Sequence, residues 1–311
     1  MPKVTSKTQT IIWVVSISLG LGMGVLAGFV FAGIITFPTT VDPDVPDEEI
    51  QRITASDFIA LGILLAIAPP SIAFYIDDRW RKGIDSNLPN LLRDVADAQR
   101  TGLSLPRAIT ESSKRNYGPL TPELQKMAAK ISWGIPFDQA MRSFTDTADT
   151  ELNSRAAILI LEAQRSGGVI EDIFDSAQKH VEDILALRKE RLGSMRPYIW
   201  IIYAAFVIFL LVIVVLFQTF FYPMRNMYLD FLGNEAIGQN MGLAPTTLNT
   251  YKILFLHMTL IEALFSGLVA GKMGEGKIKS GLKHSSIMVF IGWIAYKLTI
   301  ELRIIEFSVG T

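Results

Sequence analysis

The sequence predicts an all-α membrane protein: five transmembrane helices, with one cytoplasmic six-helix bundle domain set between the second and third. Two observations predict it. Five stretches of the 311 residues are apolar over nearly the whole depth of a bilayer core, which takes roughly 20 residues of helix to cross. Between the second and third of these, apolar residues recur every three or four positions, with none of the alternation of a strand.

Composition agrees. Half the residues are hydrophobic and the mean hydropathy is +0.35, yet 19% are charged. The net charge of -1 says little, because the charges are unevenly placed. The absence of cysteine excludes disulfides, thiolate metal sites and cysteine nucleophiles.

The first two spans are expected over 11–37 and 58–76, joined by an acidic external loop, Val41-Asp-Pro-Asp-Val-Pro-Asp-Glu-Glu. Lys3 and Lys7 ahead of the first span resemble the start of a signal peptide. Its apolar run is about twice the usual core of one, which reads as a retained anchor. Gly20, Gly24 and Gly28 form a small-residue stripe suited to close helix approach, and Pro69 and Pro70 should kink the second span. The last three spans are expected over 198–222, 251–271 and 286–305. Arg79, Arg81 and Lys82 follow span two, Arg188, Lys189, Arg191 and Arg196 precede span three, and Lys272, Lys277, Lys279 and Lys283 fill the loop 272–285. Positive charge thus alternates with the crossings, which places the amino terminus inside and the carboxyl terminus outside a cytoplasmic membrane. Residues 1–76 and 197–311 are the two membrane segments, and 77–196 the cytoplasmic domain.

Within 77–196, helical stripes begin at Leu88, Leu105, Leu124, Phe137, Leu152 and Ile170. Gly102 ends the first helix. Ser104 can cap the next, with Pro106 in its first turn, and Thr121-Pro122 repeats that signal. Gly167-Gly168 parts the last two helices. Gly102-Leu-Ser-Leu-Pro-Arg-Ala-Ile and Gly134-Ile-Pro-Phe-Asp-Gln-Ala-Met echo one another as turn chemistry.

Chemistry is hard to find. Gly271-Lys-Met-Gly-Glu-Gly276-Lys277 matches the opening of a phosphate-binding loop, but Ile278 stands where a serine or threonine would hold magnesium, and no strand precedes it. His180, His257 and His284 have no ligand spacing, and no nucleophile–histidine–carboxylate set can be picked out. No catalytic residue, metal or cofactor is therefore expected, and the chain does not read as an enzyme. Arg93, Arg100, Arg107, Lys114 and Arg115 enrich the first two helices of the domain in positive charge. They are either a solvated face or a docking surface for an acidic partner. Acids and bases are equal in number over 77–196, which argues against nucleic acid. In the membrane, Glu262 and Lys297 fall at matching depths on spans four and five, as do His257 and Glu301. Pairing across the two helices is expected, foremost between Glu262 and Lys297.

Leu92-Arg-Asp-Val-Ala-Asp-Ala-Gln-Arg-Thr-Gly-Leu-Ser-Leu-Pro-Arg-Ala-Ile resembles the opening of the type II secretion system F domain. Glu162-Ala-Gln-Arg-Ser-Gly-Gly-Val-Ile-Glu-Asp-Ile-Phe resembles its later signature, with Ser166, Gly167 and Gly168 at the break. Leu268-Val-Ala-Gly-Lys-Met-Gly-Glu-Gly-Lys, containing Gly271, Gly274 and Gly276, is similar with Gly281-Leu-Lys-His to the loop before the final span in the family's archaeal branch. The resemblance covers roughly two thirds of the chain. It implies a platform for archaellum or type IV pilus assembly, working with a cytoplasmic hexameric secretion ATPase and pilin subunits. Many relatives carry two F domains and this chain one, which implies a homo-oligomer or pairing with a second platform subunit. A transporter or channel using the charges of spans four and five is the alternative, and a membrane receptor a third.

Overall fold

The computed structural model describes residues 6–36, 47–166, 170–224 and 245–301, and every regular element among them is helical. The order is α1 (Ser6–Phe31), α2 (Asp47–Arg100), α3 (Leu105–Ser112), α4 (Thr121–Ser132), α5 (Phe137–Thr147), α6 (Glu151–Ser166), α7 (Ile170–Leu216), α8 (Pro245–Glu275) and α9 (Ile278–Tyr296). Short π turns continue α7 over Phe217–Phe221 and α9 over Lys297–Glu301. The acidic connector 41–46, Gly167-Gly168 and residues 302–305 of the expected last span lie outside the described residues.

Four helical stretches are long and apolar enough to cross a membrane: Lys7–Phe31, Gln51–Arg100, Asp172–Met224 and Asn249–Glu275. The fifth expected span falls on α9, which is not among them. The first eight residues of α9, Ile278-Lys-Ser-Gly-Leu-Lys-His-Ser, are largely polar or small, so little apolar length remains before Lys297. α2 stays helical through Pro69 and Pro70.

Two compact units emerge. One is Tyr75–Ser194, holding α3 to α6 entire with the adjoining parts of α2 and α7. The first and last of the six expected helices are thus ends of longer ones, since no breaker stands between the apolar spans and the amphipathic stretches. The unit's core joins Ile84, Leu88, Leu92 and Val95 of α2 to Leu124 and Met127 of α4, Phe144 of α5, Ile160 of α6 and Phe174 of α7. These are the stripes read from sequence, buried on one side of each helix.

The two echoed stretches are the same turn. Gly102 and Gly134 have φ of +83° and +84°. Leu103 N–H donates to Ala98 O and Ile135 N–H to Lys130 O, while Gly102 N–H donates to Gln99 O and Gly134 N–H to Ile131 O. That is the Schellman closure, which favours glycine at the left-handed position. The caps differ from expectation. Ser104 is extended ahead of α3 but its side chain makes no capping bond. Thr121 is the first residue of α4, and its hydroxyl accepts the Tyr117 N–H at 2.6 Å instead. A threonine that closes the preceding turn is not free to cap the helix that follows.

The second unit comprises the described parts of Thr5–Phe74 and Met195–Thr311. Phe206, Ile213 and Phe217 of α7 pack with Leu256, Leu260 and Ala263 of α8 and Met288 and Val289 of α9. Of the α1 glycines, only Gly20 meets a neighbour, where an added Cβ would lie 2.8 Å from Ala66 Cβ and 2.9 Å from Gly62 O. Gly24 and Gly28 face open space. The tighter approach is between α8 and α9. A Cβ on Gly267 or Gly271 would overlap the backbone of Ser285 or Gly281, and one on Gly281 would lie 2.6 Å from Leu268 Cα.

Candidate functional site

In the Tyr75–Ser194 unit, the five basic residues read as either a solvated face or a docking surface are mostly engaged with acids of their own unit. Arg93 bonds Glu182 at 3.1 Å, and Arg100 bonds Asp97 at 3.2 Å and also Asp175. These two arginines join α2 to the start of α7. Arg115 meets Asp94 at 2.8 Å, which raises its pKa further. Asp94 also accepts the Tyr117 hydroxyl; burial first, then this carboxylate, raise the tyrosine's pKa. Lys114 bonds Glu111 at 2.7 Å and holds that carboxyl below its usual range. Arg107 is exposed and, among the described residues, has no ion-pair partner within 4 Å. Of the five, Arg107 alone lacks an ion pair among the described residues, and the pairs of the other four are made by exposed cations, which contribute little.

The intramembrane charges are arranged differently from expectation. Lys297 donates to Asp57 on α2, not to Glu262, and Trp293 Nε1 donates to the other Asp57 oxygen at 3.3 Å. Side chains of Asp57 and Lys297 are 24% and 21% exposed. The face of α9 carrying Lys297 turns to α2, and the partner there stands just ahead of the apolar run, not at the depth counted along span four. Glu262 instead accepts a 2.8 Å bond from Ser266 one turn along its own helix. The second expected pair, His257 with Glu301, is not described, because the Glu301 side chain lies outside the described residues. Asp57 was not among the expected site residues because the apolar run begins one position after it. Each charge of the Asp57–Lys297 pair offsets part of the cost of taking the other out of water.

The phosphate-loop lookalike is not a loop. Gly271 to Glu275 are the last residues of α8, Gly276 turns the chain at φ +74°, and Lys277 stands extended at the N-cap position of α9. A phosphate cradle needs successive free backbone N–H groups, and helical residues have theirs engaged. Helix packing accounts for the glycines instead. Gly271 touches α9, a Cβ on Gly274 would come within 2.7 Å of Ile199 Cδ1, and Gly276 supplies the turn. Glu275 bonds Lys283 at 2.7 Å and Ser280 at 2.5 Å, which closes the hairpin. Beside it, the Tyr203 hydroxyl lies 2.8 Å from His284 Nδ1, a contact sequence spacing gives no means of finding. Of the other residues marked by resemblance, Gly102 makes the turn already described and Glu162 is exposed on α6. The Ser166 side chain, Gly167 and Gly168 lie outside the described residues.

Among the described residues no group of three or more histidine, aspartate or glutamate side chains is placed to hold a metal ion. What this chain offers is helical surfaces and polar contacts between them.

Residues 91–217 match the family described as Type II secretion system (T2SS), protein F. An uncharacterized protein of Methanocaldococcus jannaschii is 26% identical over 257 residues, which are 81% of this chain and 40% of the relative. The chain therefore spans about two fifths of that relative's length. No solved structure matches.

Proposed function

Residues 91–217 make this chain a member of the type II secretion system protein F family, and from that premise we propose that it is a membrane platform for assembling an archaeal type IV pilus or archaellum. In this reading a cytoplasmic secretion ATPase works against the Tyr75–Ser194 unit, and pilins enter the filament beside the membrane helices. The platform itself performs no chemistry.

One observation carries the reading. The family match begins in α2 at Leu91, runs through the rest of the helical unit and ends at Phe217, in the π turn that continues α7. Domain and membrane helix are matched as one continuous sequence, as expected of a protein whose work links the two. The resemblance of the Gly271–Lys277 hairpin to the archaeal branch supports the narrower assignment.

In the same proposal α9 is the fifth crossing, the amino terminus is inside and the carboxyl terminus outside. The single F domain associates with a second copy or a second platform subunit.

The test is binding of the full chain in detergent to the secretion ATPase encoded in the same genome. The pair should co-purify. Reversing Arg107→Glu together with Lys114→Glu should weaken binding and make the remainder less sensitive to salt. These side chains are exposed, so the fold should hold. No binding by the parent chain would remove the ATPase coupling. Unchanged binding by a folded double variant would return the two residues to a solvated face.

A further inference from the structure

Asn249–Glu275 is apolar enough to cross a membrane, and Glu262 is its central residue. With Lys297 held by Asp57, the only polar contact Glu262 makes among the described residues is the one from Ser266. A carboxylate at the centre of such a span, with one hydroxyl donor and no cation among the described residues, is under-satisfied there. Charged residues at that depth normally pair or face a wet cavity.

The neighbourhood of Glu262 says what completes it. Leu254, Met258, Ile261, Phe265 and Val269 are exposed, and they fall on one side of α8 at spacings of three and four. Glu262 sits about 40° around the helix from Met258, on the flank of that apolar row. It is half-buried, and Ser266 follows it on the same flank. The arrangement is an apolar stripe with a single acidic handle beside it.

We propose that the Met258–Ile261–Phe265 face of α8 seats a transmembrane helix of another polypeptide, one that carries a lysine or arginine at the depth of Glu262. A second copy of this chain fits poorly, because a two-fold axis along the membrane normal would bring two like carboxylates together at equal depth. A lipid headgroup fits poorly as well, since it would have to descend about 15 Å into hydrocarbon. A cationic helix supplies what the carboxylate needs, an opposite charge, while the stripe, which lipid tails would cover equally well, gives that helix a surface to pack on. The inference stands on the α8 surface alone and does not require the assembly-platform reading.

The full chain, reconstituted in phosphatidylcholine vesicles at neutral pH, tests it by energy transfer to synthetic transmembrane peptides. The probes are a polyleucine helix with one central lysine, the same helix without it, and the same helix with a central glutamate. The lysine peptide should bind roughly three- to tenfold more tightly than the plain one, the range that interhelical polar contacts give in lipid. Glu262→Gln should abolish that preference, and Glu262→Lys should transfer it to the glutamate peptide. Phe265→Ala should weaken all peptides alike and leave the preference intact, which keeps the test open if the Glu262 variants do not fold. Equal binding of lysine and plain peptides by the parent, a preference that survives Glu262→Gln, or indifference to Phe265→Ala would each overturn the proposal.

Discussion

Lys297 pairs with Asp57, 240 positions earlier in the chain, and ties the end of α9 to the apolar part of α2. Trp293, one turn before the lysine, bonds the same carboxylate. Asp57→Asn or Lys297→Met alone strands a charge, so each should cost about 3 kcal/mol. The double variant should recover most of that loss, because it leaves no charge behind. Apparent melting temperatures of the detergent-solubilised full chain measure this. Strictly additive losses would show that the two residues are not coupled.

The same pair marks where sequence reading stops. Apolar length and helical stripes announce most of the architecture, because the 3.6-residue period and the thickness of hydrocarbon are properties of a single segment. Leu88, Leu92 and Val95 could be assigned to a core before any partner was known. Asp57–Lys297 and Tyr203–His284 could not, since each depends on how two distant helices are rotated against one another. Depth along the bilayer follows from counting residues, while azimuth follows only from packing. Docking residues have a related difficulty. Arg93 and Arg107 look alike in sequence, but one holds Glu182 and the other is exposed with no ion pair among the described residues.

Single cysteines test the proposed orientation. Placed at Thr39, Gly83, Asn234 and Gly276 of a chain that has none of its own, they should react with an impermeant thiol reagent in intact cells at 39 and 234 only. Thr39 and Asn234 lie outside the described residues, and their assignment rests on the alternation of positive charge. Labelling at 83 or 276 in intact cells would invert the topology.

The α8–α9 crossing should be intolerant of a single methyl group. Gly271→Ala would place its Cβ inside the backbone of Gly281, so the helices must part and give up packing along their shared length. A loss of about 1–3 kcal/mol is expected, the usual cost of overpacking. Gly22→Ala is the control. Its Cβ meets nothing within 4 Å, and replacing a mid-helix glycine by alanine favours the helix by about 1 kcal/mol. Melting of the two variants should therefore shift in opposite directions. If Gly271→Ala melts like the parent, the close approach is not maintained.

His284 makes stability depend on pH in a direction that can be worked out. It precedes the apolar run beginning at Ser286, and its Nδ1 lies beside the Tyr203 hydroxyl. Burial first, then the neighbouring Lys283, hold its pKa below the ordinary 6.5, with Glu275 opposing. The unfolded chain therefore binds the proton more readily than the folded one. Stability from this site is whole above the ordinary value and declines as the pH falls through it toward the folded value, by at most about 1.4 kcal/mol per pH unit. His284→Asn keeps a polar group near Tyr203 without a proton to gain. The difference in melting temperature between parent and variant should shift in the variant's favour as the buffer is taken from about pH 7.5 to about pH 5. If both chains lose the same stability over that interval, the protonation of His284 is not coupled to folding.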